Sequence, residues 1–260
     1  MIKAIDIYIT SFKNGFAARM AYRADFFFCS IMILVSELLL PMITFLIYST
    51  GASFPGWSRH EAMLLQGVFM LSKGAANLLF FGLVFNTLSH VREGTYDLLL
   101  IKPVSVLFIS VAAGSEPDSI GTILGGLLVI LFSLWQLPSP GVINWIKFIL
   151  LFFFSVLVMF SFAVIMAGSV FKWVGNSRIY EIFDSITAFG NYPRSIFSKS
   201  FQAIISYIIP VAIIGFFPAA ALLGKDMSGV IPAILISILF FILSLSFWRL
   251  MLSKYTSAGG

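Results

Sequence analysis

Residues 142–171 read VINWIKFILLFFFSVLVMFSFAVIMAGSVF, and this stretch decides the fold. Crossing bilayer hydrocarbon as a helix takes about 20 predominantly apolar residues. The stretch is longer than that, and its one formal charge, Lys147, lies near its start. It runs apolar without a break, whereas a membrane β-strand alternates over about ten residues. In hydrocarbon the backbone must pair its own N–H and C=O groups, and a helix does so within one segment. The stretch reads as a transmembrane helix.

Outward from it, comparable runs cover Phe26 to Tyr48, Ala62 to Leu88, Ile120 to Leu137, Phe201 to Leu223 and Val230 to Leu250. Apolar residues make up 60% of the chain and charged residues 10%, against about 25% charged in soluble domains. The reading is an all-α polytopic membrane protein with six transmembrane helices in one membrane domain, residues 25–252. An N-terminal segment, 1–24, precedes it, and a short polar tail, 253–260, follows. Trp57, Trp135, Trp145, Trp173 and Trp248 fall near predicted span ends, as interfacial aromatics do.

In the first segment Ile5, Ile9, Phe12, Phe16 and Met20 recur at helical spacing, with Lys13, Arg19 and Arg23 supplying charge. Such a helix lies in the headgroup plane against anionic lipid. It is not a cleavable signal, because its basic residues are spread along its length. A second amphipathic stretch places Ile179, Ile182, Phe183, Ile186 and Phe189 on one face and Arg178, Glu181, Asp184 and Ser185 toward the other. It reads as a surface helix ended by Gly190-Asn191-Tyr192-Pro193. The single Cys29 excludes an intrachain disulfide.

With six spans, Lys3, Lys13, Arg19, Arg23, Arg92, Lys102, Lys172, Arg178, Arg194, Lys199, Arg249 and Lys254 fall on one side. Arg59 and Lys225 fall on the other, with Lys147 near that boundary. The positive-inside rule places both termini in the cytoplasm. The net charge of +5 thus reports topology and does not call for nucleic acid.

The same bias places Val91-Arg92-Glu93-Gly94-Thr95-Tyr96-Asp97-Leu98-Leu99-Leu100-Ile101-Lys102-Pro103-Val104 in the cytoplasm. This island is too short and polar to cross a bilayer and too apolar at Leu98–Ile101 for a solvated loop. It reads as a short amphipathic element offered to a cytosolic partner.

Catalytic chemistry finds little support. His60 and His90 fall on opposite sides, His60-Glu61 lacks a second His, and there is no Gly-x-Ser-x-Gly elbow. Gly224-Lys225 lacks the upstream Gly of a phosphate-binding loop and is followed by Asp226. No metal, cofactor or nucleotide site is read in the chain. Glu37 and Lys73 are ionisable groups half-way along antiparallel spans and can pair, and Asn77 lies one turn beyond Lys73. Intramembrane charge is costly and is a functional candidate by default, although a packing ion pair satisfies the same pattern. Pro210 and Pro218 break the fifth run, which is either a kinked span or a re-entrant element beside a path. Gly121, Gly125 and Gly126 mark a close-packed helix face.

The layout resembles the membrane subunit of ABC-2 type exporters, in particular an uncharacterised permease family of about 260 residues. The Val91–Val104 stretch carries the likeness. So do Asn191-Tyr192-Pro193-Arg194-Ser195-Ile196-Phe197, Ile208-Ile209-Pro210-Val211-Ala212 and Phe217-Pro218-Ala219-Ala220-Ala221-Leu222-Leu223-Gly224. The resemblance implies that the element after the second span is a coupling helix docking on a separate ABC ATP-binding subunit. Arg92, Glu93, Gly94, Asp97, Lys102 and Pro103 would form its contact, with Leu98–Leu100 toward the membrane. It implies that ATP and Mg are bound by a dimer of that partner and not by this chain. It also implies a second permease copy or paralogue, a bacterial inner-membrane location and export. Glu37, Lys73, Asn77, Pro210 and Pro218 are the candidates for the path. The alternative is an ion-coupled secondary transporter working through Glu37 and Lys73.

Overall fold

The computed structural model describes residues 2–173 and 178–256, and every regular element among them is helical. The chain opens with α1 (Ile2–Met20), α2 (Arg23–Ser49) and α3 (Arg59–Ala76). A π-helical turn at Asn77–Phe81 leads into α4 (Leu83–Arg92), so that α3 and α4 form one apolar unit from Arg59 to Arg92. Two short helices follow, α5 (Asp97–Leu100) and α6 (Val106–Ala112), then a 3-10 turn at Pro117–Ser119 and α7 (Ile120–Gln136). The remaining helices are α8 (Val142–Val170), α9 (Ile179–Thr187), α10 (Lys199–Ala203), α11 (Phe216–Leu222) and α12 (Val230–Leu252).

Five helical units are long and apolar enough to cross a membrane: α2, α3 with α4, α7, α8 and α12. The α3–α4 unit is the most enclosed of them, while α2 and α12 expose most of their apolar surface. The close face expected on α7 is present. A Cβ on Gly126 would lie 2.8 Å from the backbone N of Leu71, so the α3 and α7 backbones approach as only glycine permits. Ser58 caps α3, accepting from the Glu61 N–H while the Glu61 carboxylate accepts from the Ser58 N–H.

The fifth apolar run departs from a single span. Lys199–Ile208 and Val211–Leu222 meet at an angle of 80°. Gln202 near the start of this pair and Lys225 just beyond it line the same cavity, together with Pro55, Gly56 and Trp57. The two ends of the run thus reach one cavity, and the run forms a bent hairpin. Its break falls at Pro210, where no N–H is available to continue the helix. Pro218 lies in the first turn of α11, where proline is tolerated, so it is not a break. Two serines take up the carbonyls freed at the tip. The Ser155 hydroxyl donates to Ile213 O at 2.6 Å and the Ser72 hydroxyl to Ile214 O at 3.1 Å.

The stretch expected as a surface helix lies against the bundle by one face, with Glu181, Ile182, Asp184 and Ser185 exposed. Phe183 of α9 is buried against Phe81 and Phe162, and Asp184 approaches Lys73. Contacts then step along the α3–α4 unit in order: Tyr180 meets Phe85, Gly190 meets Phe69, and the Ser195 hydroxyl donates to Pro55 O. Residues 179–197 thus run from one end of the bundle to the other. Arg194, which donates to Ser228 O, and Lys199, which opens the hairpin, belong with the 55–57 loop and not with Arg92 and Lys102. Residues 174–177, between α8 and α9, and 257–260 of the tail lie outside the described residues.

Candidate functional site

Two regions concentrate the polar groups: a groove inside the bundle and a turn at one end of it. The groove is built where α2, α3, the π-helical turn and α9 meet. Lys73 Nζ lies 3.1 Å from Glu37 Oε1 and 4.0 Å from Asp184 Oδ1. An inner chamber of about 160 Å³ is lined by these three groups with Gln66, Asn191 and Phe69. A wider cavity of about 500 Å³ shares Glu37 and Lys73 and adds Asn77, Glu116, Asp118 and Arg19. Its walls are joined by backbone contacts, since the Glu116 N–H donates to Asn77 O and the Gly82 N–H to Gly114 O. Arg19 is committed to two acids, with Nε 2.8 Å from Asp118 Oδ1 and Nη1 2.9 Å from Asp25 Oδ2. Burial, then the neighbouring Asp118, pushes the Glu116 carboxyl up to about 7.

Helix α1 closes the same end. The Tyr8 hydroxyl donates to Leu79 O at 2.8 Å, and the rings of Tyr8, Phe12, Phe16 and Phe26 follow one another. Ile5 and Ile9, from the expected apolar stripe, stay exposed.

The turn occupies residues 92–105. Helix α4 ends at Arg92, and Gly94 takes φ +69°, a left-handed conformation that glycine adopts without steric cost. The Thr95 N–H donates to His90 O and Thr95 Oγ1 lies 2.8 Å from His90 Nδ1, folding the chain back on itself. The amphipathic element is the single turn α5. Tyr96 is fully buried, its ring 5.0 Å from Phe171 and 5.3 Å from Tyr255, and Leu99 is buried beside it. Arg92, Glu93, Lys102 and Pro103 are exposed.

The turn divides its side chains between the bundle and the outside. Leu99 alone turns inward, while Leu98, Leu100 and Ile101 are exposed, Ile101 at 80%. Asp97 is half-buried and interacts with the Tyr255 phenol, which burial and this carboxylate together hold above its ordinary range. It ties the turn to the segment after α12. Glu93 is exposed and accepts from the Ser89 hydroxyl at 2.5 Å.

Of the intramembrane candidates, the structure brings Glu37, Lys73 and Asn77 together along one groove. Pro210 and Pro218 do not line it, since both are buried in the hairpin. Sequence reasoning missed Gln66, Asp184, Glu116 and Asn191 as groove residues. Asp184 did stand on the polar face of its helix, but that face reads the same whether it meets water or a polar cavity. Among the described residues, no group of three His, Cys, Asp or Glu side chains could hold a metal ion.

A family model described as ABC-2 family transporter protein matches residues 32–259. No curated protein and no solved structure matches the chain.

Proposed function

The chain belongs to the ABC-2 transporter family, and from that premise we propose that it is the permease subunit of an ATP-driven exporter in a bacterial inner membrane. Family membership does not favour the ion-coupled alternative. In this reading a separate ATP-binding subunit, working as a dimer, supplies the hydrolysis and holds ATP and Mg. Two permeases, identical or paralogous, face each other across the path. Six crossings keep both termini on the cytoplasmic side, with residues 179–197 as the fifth and the hairpin dipping in from outside.

The observation that carries the reading is the construction of the 92–105 turn. Its inner side is bolted to the bundle by Tyr96 and Leu99, while its outer side offers Arg92, Glu93 and Lys102 around exposed Leu98 and Ile101. An apolar centre with a charged rim is the anatomy of a protein interface. The Tyr96 anchor joins this surface to Phe171 at the end of α8, and Phe171 in turn packs 5.1 Å from Trp248 of α12. A push on the turn is thereby delivered to two spanning helices.

The test is Ile101→Asp, a change at a side chain too exposed to affect folding. Co-expressed with its ATP-binding subunit, this variant is expected to insert normally and lose most of the co-purifying ATPase. Burying an unpaired charge in an interface costs several kcal/mol, about a hundredfold in affinity. Undiminished co-purification and unchanged ATP-driven transport would remove the turn as the docking surface.

A further inference from the structure

Helices α2 and α7 start at the same end of the bundle and are pressed together there. A Cβ on Gly121 would strike the carbonyl oxygen of Ser30, and one turn on a Cβ on Gly125 would stand 3.9 Å from Leu34 O. Past this contact the α7 side chains become large, and a groove of about 350 Å³ opens between α2, α3 and α7. Leu38, Phe45, Met63, Leu128, Val129 and Phe132 line it, and every residue of its lining is apolar. At the end away from Gly121 the chemistry changes. Arg59 opens α3 one turn before Met63, and its Cζ lies 4.5 Å from the centre of the Phe45 ring. On the opposite wall the His60 ring lies 5.9 Å from that of Phe132, centroid to centroid. Stacking on Phe45 uses the face of the guanidinium and leaves its edge, with five N–H donors on that plane, to other partners. Among the described residues no acid pairs with Arg59, and the nearby Glu61 is held by Lys225 at 3.0 Å. The loop behind this mouth is fixed, because the Tyr48 hydroxyl donates to Trp57 O and accepts from the Phe54 N–H.

We propose that this groove holds an anionic phospholipid, with one acyl chain lying between α2 and α7 and the phosphate on Arg59. The groove is shut by helix contact at the end remote from Arg59, so an occupant lies with its apolar part inward and its polar part at the guanidinium. That is the orientation of a lipid in a bilayer leaflet. The volume lies within the range of small-molecule sites, about 300–1,000 Å³. The guanidinium fork matches a phosphate with two parallel hydrogen bonds. A wholly apolar occupant would leave Arg59 without its counter-charge, and a zwitterionic headgroup carries its own cation to offset the gain. The chain also supplies packing that α2, with most of its apolar surface exposed, does not find within the bundle. Which leaflet the lipid belongs to rests on the topology of the permease reading; the binding does not.

The experiment uses the purified full chain in nanodiscs of neutral phosphatidylcholine. A minor component of the bilayer is a phosphatidylglycerol with a diazirine in one acyl chain, or a phosphatidylcholine with the same chains and the same diazirine. After illumination the labelled peptides are identified by mass spectrometry, so the readout is local to the groove. The phosphatidylglycerol probe is expected to label residues 38–46 and 128–132 about tenfold more than its neutral counterpart, the worth of one charge-assisted hydrogen bond. Arg59→Gln should bring the two probes level. Leu128→Trp, at a half-exposed position where a larger ring fills the groove, should reduce labelling by both. Melting temperature and monodispersity show that each variant is folded, and both changes lie at positions outside the buried core. Free glycerol phosphate should not compete; competition would make this a site for the headgroup alone and overturn the lipid. Equal labelling by the two probes in the unaltered protein, or a preference that survives Arg59→Gln, would overturn the proposal. So would a groove that neither probe labels, the result expected if a second copy of the chain covers it. No ATP-binding subunit is present in the assay, so a negative result leaves the permease reading standing, and a failed co-purification leaves the lipid result standing.

Discussion

Glu116 shows how one residue's surroundings become a property of the whole protein. It lies half-buried between α6 and α7, beside Asp118 and over the wider cavity. Burial first, then the like charge of Asp118, raises its folded value to about 7 from an ordinary 4.5. The group thus favours folding most when protonated. Its contribution is fully present below the ordinary carboxylate range and is lost as pH rises through 7, on the order of 2 kcal/mol. Thermal unfolding in detergent should show the melting temperature falling between pH 5 and pH 8. Glu116→Gln, neutral throughout, should flatten that slope and be the more stable protein at pH 8. An identical slope in the variant would mean that the carboxyl titrates normally. Nothing in the sequence marks Glu116, which sits in a short connector. Its burial comes from its N–H being tied to Asn77 O and from the closeness of Gly82 and Gly114, contacts between residues more than thirty positions apart.

At the scale of elements, most helices were legible and their placement was not always so. The long apolar runs were read correctly because hydrocarbon leaves a helix as the simplest way to pair the backbone. The Gly face of α7 was legible because close approach needs small residues at helical spacing. Whether the run from Phe201 to Leu223 crosses or turns back is not legible in the sequence, because hydropathy reports the surroundings of a segment and not which end it returns to. The deciding groups lie elsewhere in the chain. Ser72 and Ser155 satisfy the carbonyls of Ile214 and Ile213 from 142 and 58 residues away. Each hydroxyl has one proton, which the carbonyl of its own helix, Val68 O or Leu151 O, shares with the hairpin carbonyl. Ser155→Ala should leave Ile213 O buried and unpaired and cost about 1–3 kcal/mol, while Ser155→Thr, which keeps the hydroxyl, should cost less. Hydrogen exchange should localise the loss to residues 205–215. A uniform loss across all helices, or none, would show that the serines do not hold the tip.

For the whole molecule, contacts fix which segments share an end without any appeal to charge. Tyr96, Phe171 and Tyr255 are mutually packed, and Arg19 pairs with Asp118, so α1, the 92–105 turn, the starts of α2 and α7 and the ends of α8 and α12 gather at one end. Pro55, Trp57, Arg194, Lys225 and Ser228 gather at the other, where Lys225 donates to Gly56 O and pairs with Glu61. Arg194 and Lys199 therefore leave the basic side of the tally, and the positive-inside bias keeps its direction with a smaller margin. Cysteine labelling in intact cells tests the arrangement, starting from Cys29→Ser. Ala52→Cys and Ser200→Cys should both react with a membrane-impermeant maleimide from outside, whereas Lys102→Cys and Thr256→Cys should react only after permeabilisation. All four sites are exposed, so protection reports the membrane and not packing. Ser200 is the informative position. If residues 201–223 were a through-span, Ser200 would lie at the end opposite Ala52 and would label with Thr256. Co-labelling of Ser200→Cys with Ala52→Cys would require the chain to have crossed between Phe171 and Ser200, and in that interval residues 179–197 run the length of the bundle, changing from α-helix to 3-10 turns and extended backbone at Tyr192, Pro193 and Phe197. The unwound stretch covers more length per residue than an α-helix does, and it carries Asp184 and Asn191 to the chamber wall as it passes.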